Sequence, residues 1–205
     1  MTDWIRRTYD SVGVTQWPAG PHLAALQEPY LGKVFLCIDV SSSMSGQPLR
    51  EAVAGAHEFV AQAIAARYRV GLILWNTGVA ATVGLSARPE PVLDGVRRAS
   101  AGGGTNVTPT LQAGISMLAG LRGDRVLAVF GDGDIGAEGP AVAAAREAAA
   151  QGIRIIVRGL GRHAAASLAK IATEGIDQAE IAGPGQIAGG IAAMATSLIS
   201  GRRKS

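Results

Sequence analysis

The stretch Asp39-Val40-Ser41-Ser42-Ser43 ends an apolar run, Val34 to Ile38, on one carboxylate and three hydroxyls. On a turn, Ser41 and Ser43 can face the same side as Asp39 while Ser42 points away. A second loop, Gly131-Asp132-Gly133-Asp134, follows another apolar run, Val126 to Phe130, and its glycines let the backbone turn tightly. A third, Gly102-Gly103-Gly104-Thr105, can carry a threonine hydroxyl toward the same point. Carboxylates and hydroxyls without His or Cys are hard oxygen ligands, suited to Mg2+ first and to Mn2+ or Ca2+ as alternatives. Two serines, a threonine and one or two aspartates do not fill six coordination positions. At least one position is then left for water or for a partner's oxygen. Acids gathered out of water also need compensation, and a divalent cation supplies it.

The elements around these loops alternate. Apolar runs of strand length occur at VFLCIDV, at RVGLILW (Arg69 to Trp75), at VLAVF and at IRIIVRGL. Between them, Pro48 to Arg67, Pro89 to Ser100, Pro109 to Leu121 and Ala141 to Gln151 carry helical spacing. Helices over His163 to Glu174 and Gln186 to Ile199 follow, with a short strand at IDQAEIA between them. Asn76-Thr77-Gly78 is too short a link for a crossover, so the VAATVGL strand after it runs antiparallel. The pattern is that of a Rossmann-like, doubly wound α/β fold: a mostly parallel sheet with one antiparallel edge strand and helices on both faces. In such sheets ligands bind beyond the carboxyl ends of the strands, where Asp39 and Asp132 stand.

The same residues admit a plainer reading. Serines ahead of Pro48 and Leu49 can cap a helix, Thr105 or Asn106 can cap the next, and Thr108 beside Pro109 is the best placed cap of all. Asp134 either joins the metal ligands or caps its loop.

Composition narrows the classes of function. With 205 residues, a single domain is expected: residues 1–32 as an N-terminal extension, 33–200 as the domain and 201–205 as a basic tail. Trp4, Trp17 and Tyr30 could anchor the extension. Apolar residues make up 48%, enough for a sizeable core, while aromatics at 4% offer no platform for stacking bases. The net charge of +3 includes the tail GRRKS and forms no basic stripe, so no nucleic-acid partner is expected. Cys37 is the only cysteine, which excludes an intrachain disulfide and reads as a buried thiol. No secretory h-region and no apolar stretch of about 18 residues is visible, which points to a cytoplasmic protein without a membrane partner. His22, His57 and His163 are scattered, so no catalytic role is expected of them.

Taken together, the motifs resemble the von Willebrand factor A (VWA) domain family and its metal-ion-dependent adhesion site (MIDAS). D-V-S-S-S matches that family's D-x-S-x-S with Asp39, Ser41 and Ser43; G-G-G-T-N supplies Thr105, and F-G-D-G supplies Asp132. The resemblance covers roughly residues 33–200. It implies a non-enzymatic binding module in which a bound divalent cation captures an Asp or Glu carboxylate of another protein. It also implies a subunit or adaptor of a larger intracellular bacterial assembly, with an AAA+ ATPase, a kinase or a phosphatase among the candidate partners. The chain departs from the family where Gly131 stands in place of a common Thr and Ser42 in place of a common Gly. The alternative is an enzyme: a Mg2+-dependent phosphoryl transferase or phosphatase. Against it, Ser41 stands where an aspartyl-phosphate phosphatase needs a second acid, and no P-loop lysine motif is present.

Overall fold

The computed structural model describes residues 26–174, 180–181 and 184–202. Trp4, Trp17, His22 and most of the IDQAEIA segment lie outside them. Six strands form one sheet in the order β3-β2-β1-β4-β5-β6. They are β1 (Gly32–Asp39), β2 (Tyr68–Trp75), β3 (Val79–Ser86), β4 (Arg125–Gly131), β5 (Ile153–Leu160) and β6 (Glu180–Ile181). All neighbours pair in parallel except β2 and β3, whose three-residue link allows only a hairpin.

The crossovers supply helices α1 (Gln47–Ala65), α2 (Glu90–Arg97), α3 (Thr108–Leu118), α4 (Glu138–Ala150), α5 (Gly161–Ala169) and α6 (Ile187–Arg202). Every residue of β1 is buried, as a central strand covered on both faces requires. Its side chains split by parity. Val34, Leu36 and Ile38 join one core with α1, α2 and α6, whereas Phe35 and Cys37 join another with α3, α4 and α5. Between α1 and α6 the backbones approach closely, because Gly55 carries no side chain: a Cβ there would lie 2.7 Å from the Ala188 carbonyl oxygen.

The end of the sheet away from Asp39 is held by charge. Arg154 on β5 donates through Nε (2.8 Å) and an Nη (2.6 Å) to both oxygens of Asp124, and also pairs with Glu174. The Tyr68 hydroxyl of β2 reaches the same Asp124. One paired network thus ties the starts of β2, β4 and β5 together. Lys33, at the start of β1, donates to the carbonyls of Pro29, Leu31 and Arg122 at 2.5, 2.9 and 2.7 Å.

Two helix ends shift. The helix expected over His163 to Glu174 ends at Ala169, because the chain turns back to bond Thr173 to the backbone of Ile155. Helix α6 continues to Arg202, past the expected end at Ile199 and into the basic tail. Tyr30 is 57% exposed and lies against the Arg122 guanidinium; the segment before residue 26 that it was expected to anchor lies outside the described residues.

The α1–α6 approach generates a prediction. Gly55→Ala must push the helices apart and should cost about 1–3 kcal/mol, read as a lower urea midpoint with an unchanged slope. An unchanged midpoint would show that the contact is loose.

Candidate metal centre

The strand order places β1 beside β4 with crossovers leaving in opposite directions, which opens a crevice at their carboxyl ends. Asp39 ends β1, and Asp132 follows β4 directly. Asp39 Oδ1 accepts the Ser41 backbone N–H at 2.8 Å. The Ser41 and Ser43 hydroxyls are 3.0 Å apart, and Ser43 Oγ donates to Asp132 Oδ1 at 2.9 Å. A continuous polar chain therefore runs from Asp39 to Asp132 across the crevice. Asp39 and Ser41 are buried, Asp132 and Thr105 half-buried, and Ser43 exposed, so the chain opens to solvent at one end.

The glycine-rich loop is stitched into this arrangement. Ser42 turns away, as expected, and its N–H and hydroxyl both bond the Gly103 carbonyl, at 3.1 and 2.9 Å. Gly102 N–H donates to Val40 O at 2.8 Å. From the β2–β3 turn, the Asn76 side chain donates to Gly102 O (2.7 Å) and the Thr77 hydroxyl accepts the Gly104 N–H (2.9 Å). Val107 N–H closes onto Ile135 O at 3.1 Å, joining this loop to the one that holds Asp132. Thr105 Oγ1 lies 4.0 Å from where a Cβ on Gly133 would stand, beside Asp132. All five residues expected at the site, Asp39, Ser41, Ser43, Thr105 and Asp132, thus meet in one cluster of loops. Asn76 and Thr77, read from sequence only as a tight turn, are also part of it.

The plainer capping reading fails for these hydroxyls. Helix α1 starts at Gly46 as N-cap with no side-chain cap, so no serine is spent there. Thr108 does not cap α3 either. It lies inside the helix with its Oγ1 buried and unpartnered, and Asn106 Oδ1 accepts its N–H instead, at 3.2 Å. Asp134 is exposed, and its Oδ1 accepts the Ile135 N–H at 2.7 Å within its own loop.

Asp39 Oδ2 is buried and has no hydrogen-bond partner. Burial pushes the Asp39 carboxyl up to about 6; the Ser41 backbone N–H and hydroxyl oppose the shift, and the nearby charge of Asp132 adds to it. The Asp132 backbone N–H also favours the charged form without reaching hydrogen-bond geometry. At neutral pH this is an ionised, half-satisfied carboxylate in a dry place, which is unfavourable unless a cation arrives. Among the described residues no group of three His, Cys, Asp or Glu side chains could hold an ion. An ion at this place would be held by hydroxyls and two acids, the donor set of a hard divalent cation. The residues fit such an ion. Cys37, on the same face two residues earlier, is fully buried, and burial pushes its thiol up, away from the thiolate a nucleophile needs.

A family model described as the von Willebrand factor type A domain matches residues 34–134. No curated protein sequence matches. Solved structures share the fold at low identity. The von Willebrand factor type A protein of Catenulispora acidiphila is 16% identical with a TM-score of 0.70, over 83% of this chain and 43% of that one. BatB, a conserved hypothetical protein of Bacteroides thetaiotaomicron, is 19% identical with a TM-score of 0.68, over 85% of this chain and 100% of that one. Proximal thread matrix protein 1 of the mussel byssus, solved with a zinc-occupied MIDAS motif, is 16% identical with a TM-score of 0.65, over 83% and 47%. The chain spans less than half of the Catenulispora and mussel proteins.

The Asp39 environment sets a pH dependence. In chelator, the folded protein keeps Asp39 protonated up to about pH 6, the unfolded chain only to about pH 4. Between these values the native state holds the extra proton, so this group's contribution to stability falls as pH rises through the window. Asp39→Asn removes the charge and should be more stable than the wild type at pH 7.5 by about 1–3 kcal/mol, with the gap closing below about pH 4. Denaturant melts of both proteins at several pH values measure it; equal stability at pH 7.5 would mean that the carboxylate is not under strain.

Proposed function

Residues 34–134 belong to the von Willebrand factor type A domain family, and from that premise we propose that this chain is a metal-dependent protein-binding module. Ser41, Ser43 and Thr105 offer hydroxyl oxygens and Asp39 and Asp132 carboxylates to one divalent cation, directly or through its waters. Mg2+ is the first choice because every donor is a hard oxygen, with Mn2+ and Ca2+ as alternatives. The zinc-occupied motif of the mussel relative supports a divalent ion at this place in the fold. When bound, the ion supplies a positive charge with an unfilled coordination position. A partner protein fills that position with an Asp or Glu carboxylate, and the surrounding loops select among partners. We propose the same setting as the resemblance implies: an adaptor within a larger bacterial assembly.

The observation that carries the reading is the buried, unpartnered Oδ2 of Asp39 at the end of a polar chain that no helix cap consumes. Chemistry is less well served. Ser41 is 1% exposed and already bonded to its neighbours, and His57 and His163 are exposed on α1 and α5. Neither supplies an activated nucleophile beside the acids. No helix among the described residues is long and apolar enough to cross a membrane.

Mg2+ at about 100 times its dissociation constant should stabilise the fold by about 2.7 kcal/mol, a rise in thermal midpoint of about 5–10 °C. Ser41→Ala with Ser43→Ala should abolish that rise and, with it, chelator-sensitive capture of a carboxylate-bearing partner. A rise that survives in the double variant would place the ion elsewhere; release of phosphate from an aryl phosphate with Mg2+ would favour the enzyme instead.

A further inference from the structure

At the carboxyl end of β2 stands Trp75, the largest fully buried side chain among the described residues, in register with Asp39 on the neighbouring strand. Trp75 belongs to the core on the face of the sheet that carries α3, α4 and α5, and Asp39 shares the strand parity of Phe35 and Cys37 on that face. On the far side of Asp39, β4 ends in Gly131. A Cβ built on Gly131 would lie 3.2 Å from Trp75 Cζ2, 3.4 Å from Cη2 and 3.2 Å from Asp39 Oδ2. Trp75 and Gly131 sit on strands that flank β1 from either side. The indole therefore reaches across the sheet past Asp39, and its six-membered ring occupies the space that a side chain at position 131 would take. The unpartnered oxygen of Asp39 meets that ring edge at the same point. Trp75 Nε1 is itself buried and without a hydrogen-bond partner, so the fold does not consume its proton.

Resting on the metal reading above, we propose that Trp75 is a positioning residue for the centre: its indole replaces a residue-131 side chain as the wall that holds the Asp39 carboxylate and keeps bulk water from Oδ2. Gly131 is the complement of that wall, since its φ is not positive and only the shared space demands glycine. A dry, fixed carboxylate strengthens its attraction to a cation, because less solvent screens the pair and less ordering remains to be done on binding. The residues that hold a metal's ligands in place change affinity about 10–100-fold when altered. Trp75 falls in that class although it offers the ion no ligand atom.

The test uses the full chain and Mg2+ alone, followed by calorimetry. Trp75→Phe shortens the ring and should weaken Mg2+ binding about 10-fold or more while the protein remains folded in chelator. Gly131→Ala places a methyl against both the ring and Oδ2 and should weaken binding as well. The two changes act on one space, so Trp75→Phe with Gly131→Ala should bind no worse than Trp75→Phe alone. The indole Nε1–H resonance that disappears in Trp75→Phe should shift on Mg2+ addition to the wild type and stay still in Asp39→Asn. Unchanged affinity in Trp75→Phe, or strictly additive losses in the double variant, would overturn the role of Trp75 while leaving the metal centre intact. Where Trp75→Phe does not fold, unchanged affinity in Gly131→Ala overturns it. Failure of the wild type to bind Mg2+, Mn2+ or Ca2+ would overturn the metal reading itself, and this role with it.

Discussion

The structure turns on one buried charge. Asp39 ends the central strand of the sheet, with β2 on one side, β4 on the other and helices over both faces. A strand in that position wants apolar side chains to its last residue, and β1 obeys from Val34 to Ile38. The carboxylate that follows has one oxygen bonded to the Ser41 N–H and one bonded to nothing. Such a group is stable only as an acid or beside a cation. In the function proposed here, the serine hydroxyls and Asp132 form the shell for the second solution.

The rest of the fold makes that shell possible. Reversal of the winding direction at β1 and β4 sets the ends of these two strands side by side at the switch point where such sheets bind ligands. Loops from β1, β2 and β4 and the glycine-rich segment then bond to one another rather than to helices, so that hydroxyls from distant parts of the chain stay close. At the other end, the Arg154–Asp124–Glu174 network and the Lys33 carbonyl cradle hold the strand starts in register. The site end can then remain polar and open without loosening the sheet.

Much of this was readable in the chain itself. D-V-S-S-S stood out because an apolar run of strand length stopped on an acid, and period alone located that strand. The antiparallel edge followed from a link too short to cross over. Thr105 and Asp132 gained meaning only from order, each following the right element, since a lone threonine or aspartate in a glycine-rich loop signals nothing. What stayed hidden depends on contacts far apart in sequence. Asn76 and Thr77 look like turn residues, and their bonds to Gly102 and Gly104 appear only once β2 and the glycine-rich loop are neighbours. Thr108 beside Pro109 reads as the natural cap, yet the helix starts from Val107 without a side-chain cap, and Asn106 accepts the Thr108 N–H. In sequence Trp75 is only the last residue of an apolar run, and the meeting of its ring with Gly131 and Asp39 spans three strands.

The most direct measurement is a crystal structure of the protein grown with Mn2+, with anomalous scattering collected at the manganese edge. The account predicts one strong peak between the hydroxyls of Ser41 and Ser43, with Thr105, Asp39 and Asp132 bonded to the ion or to its waters. An anomalous map without a peak at that place, although Mn2+ is present at saturating concentration, would contradict it.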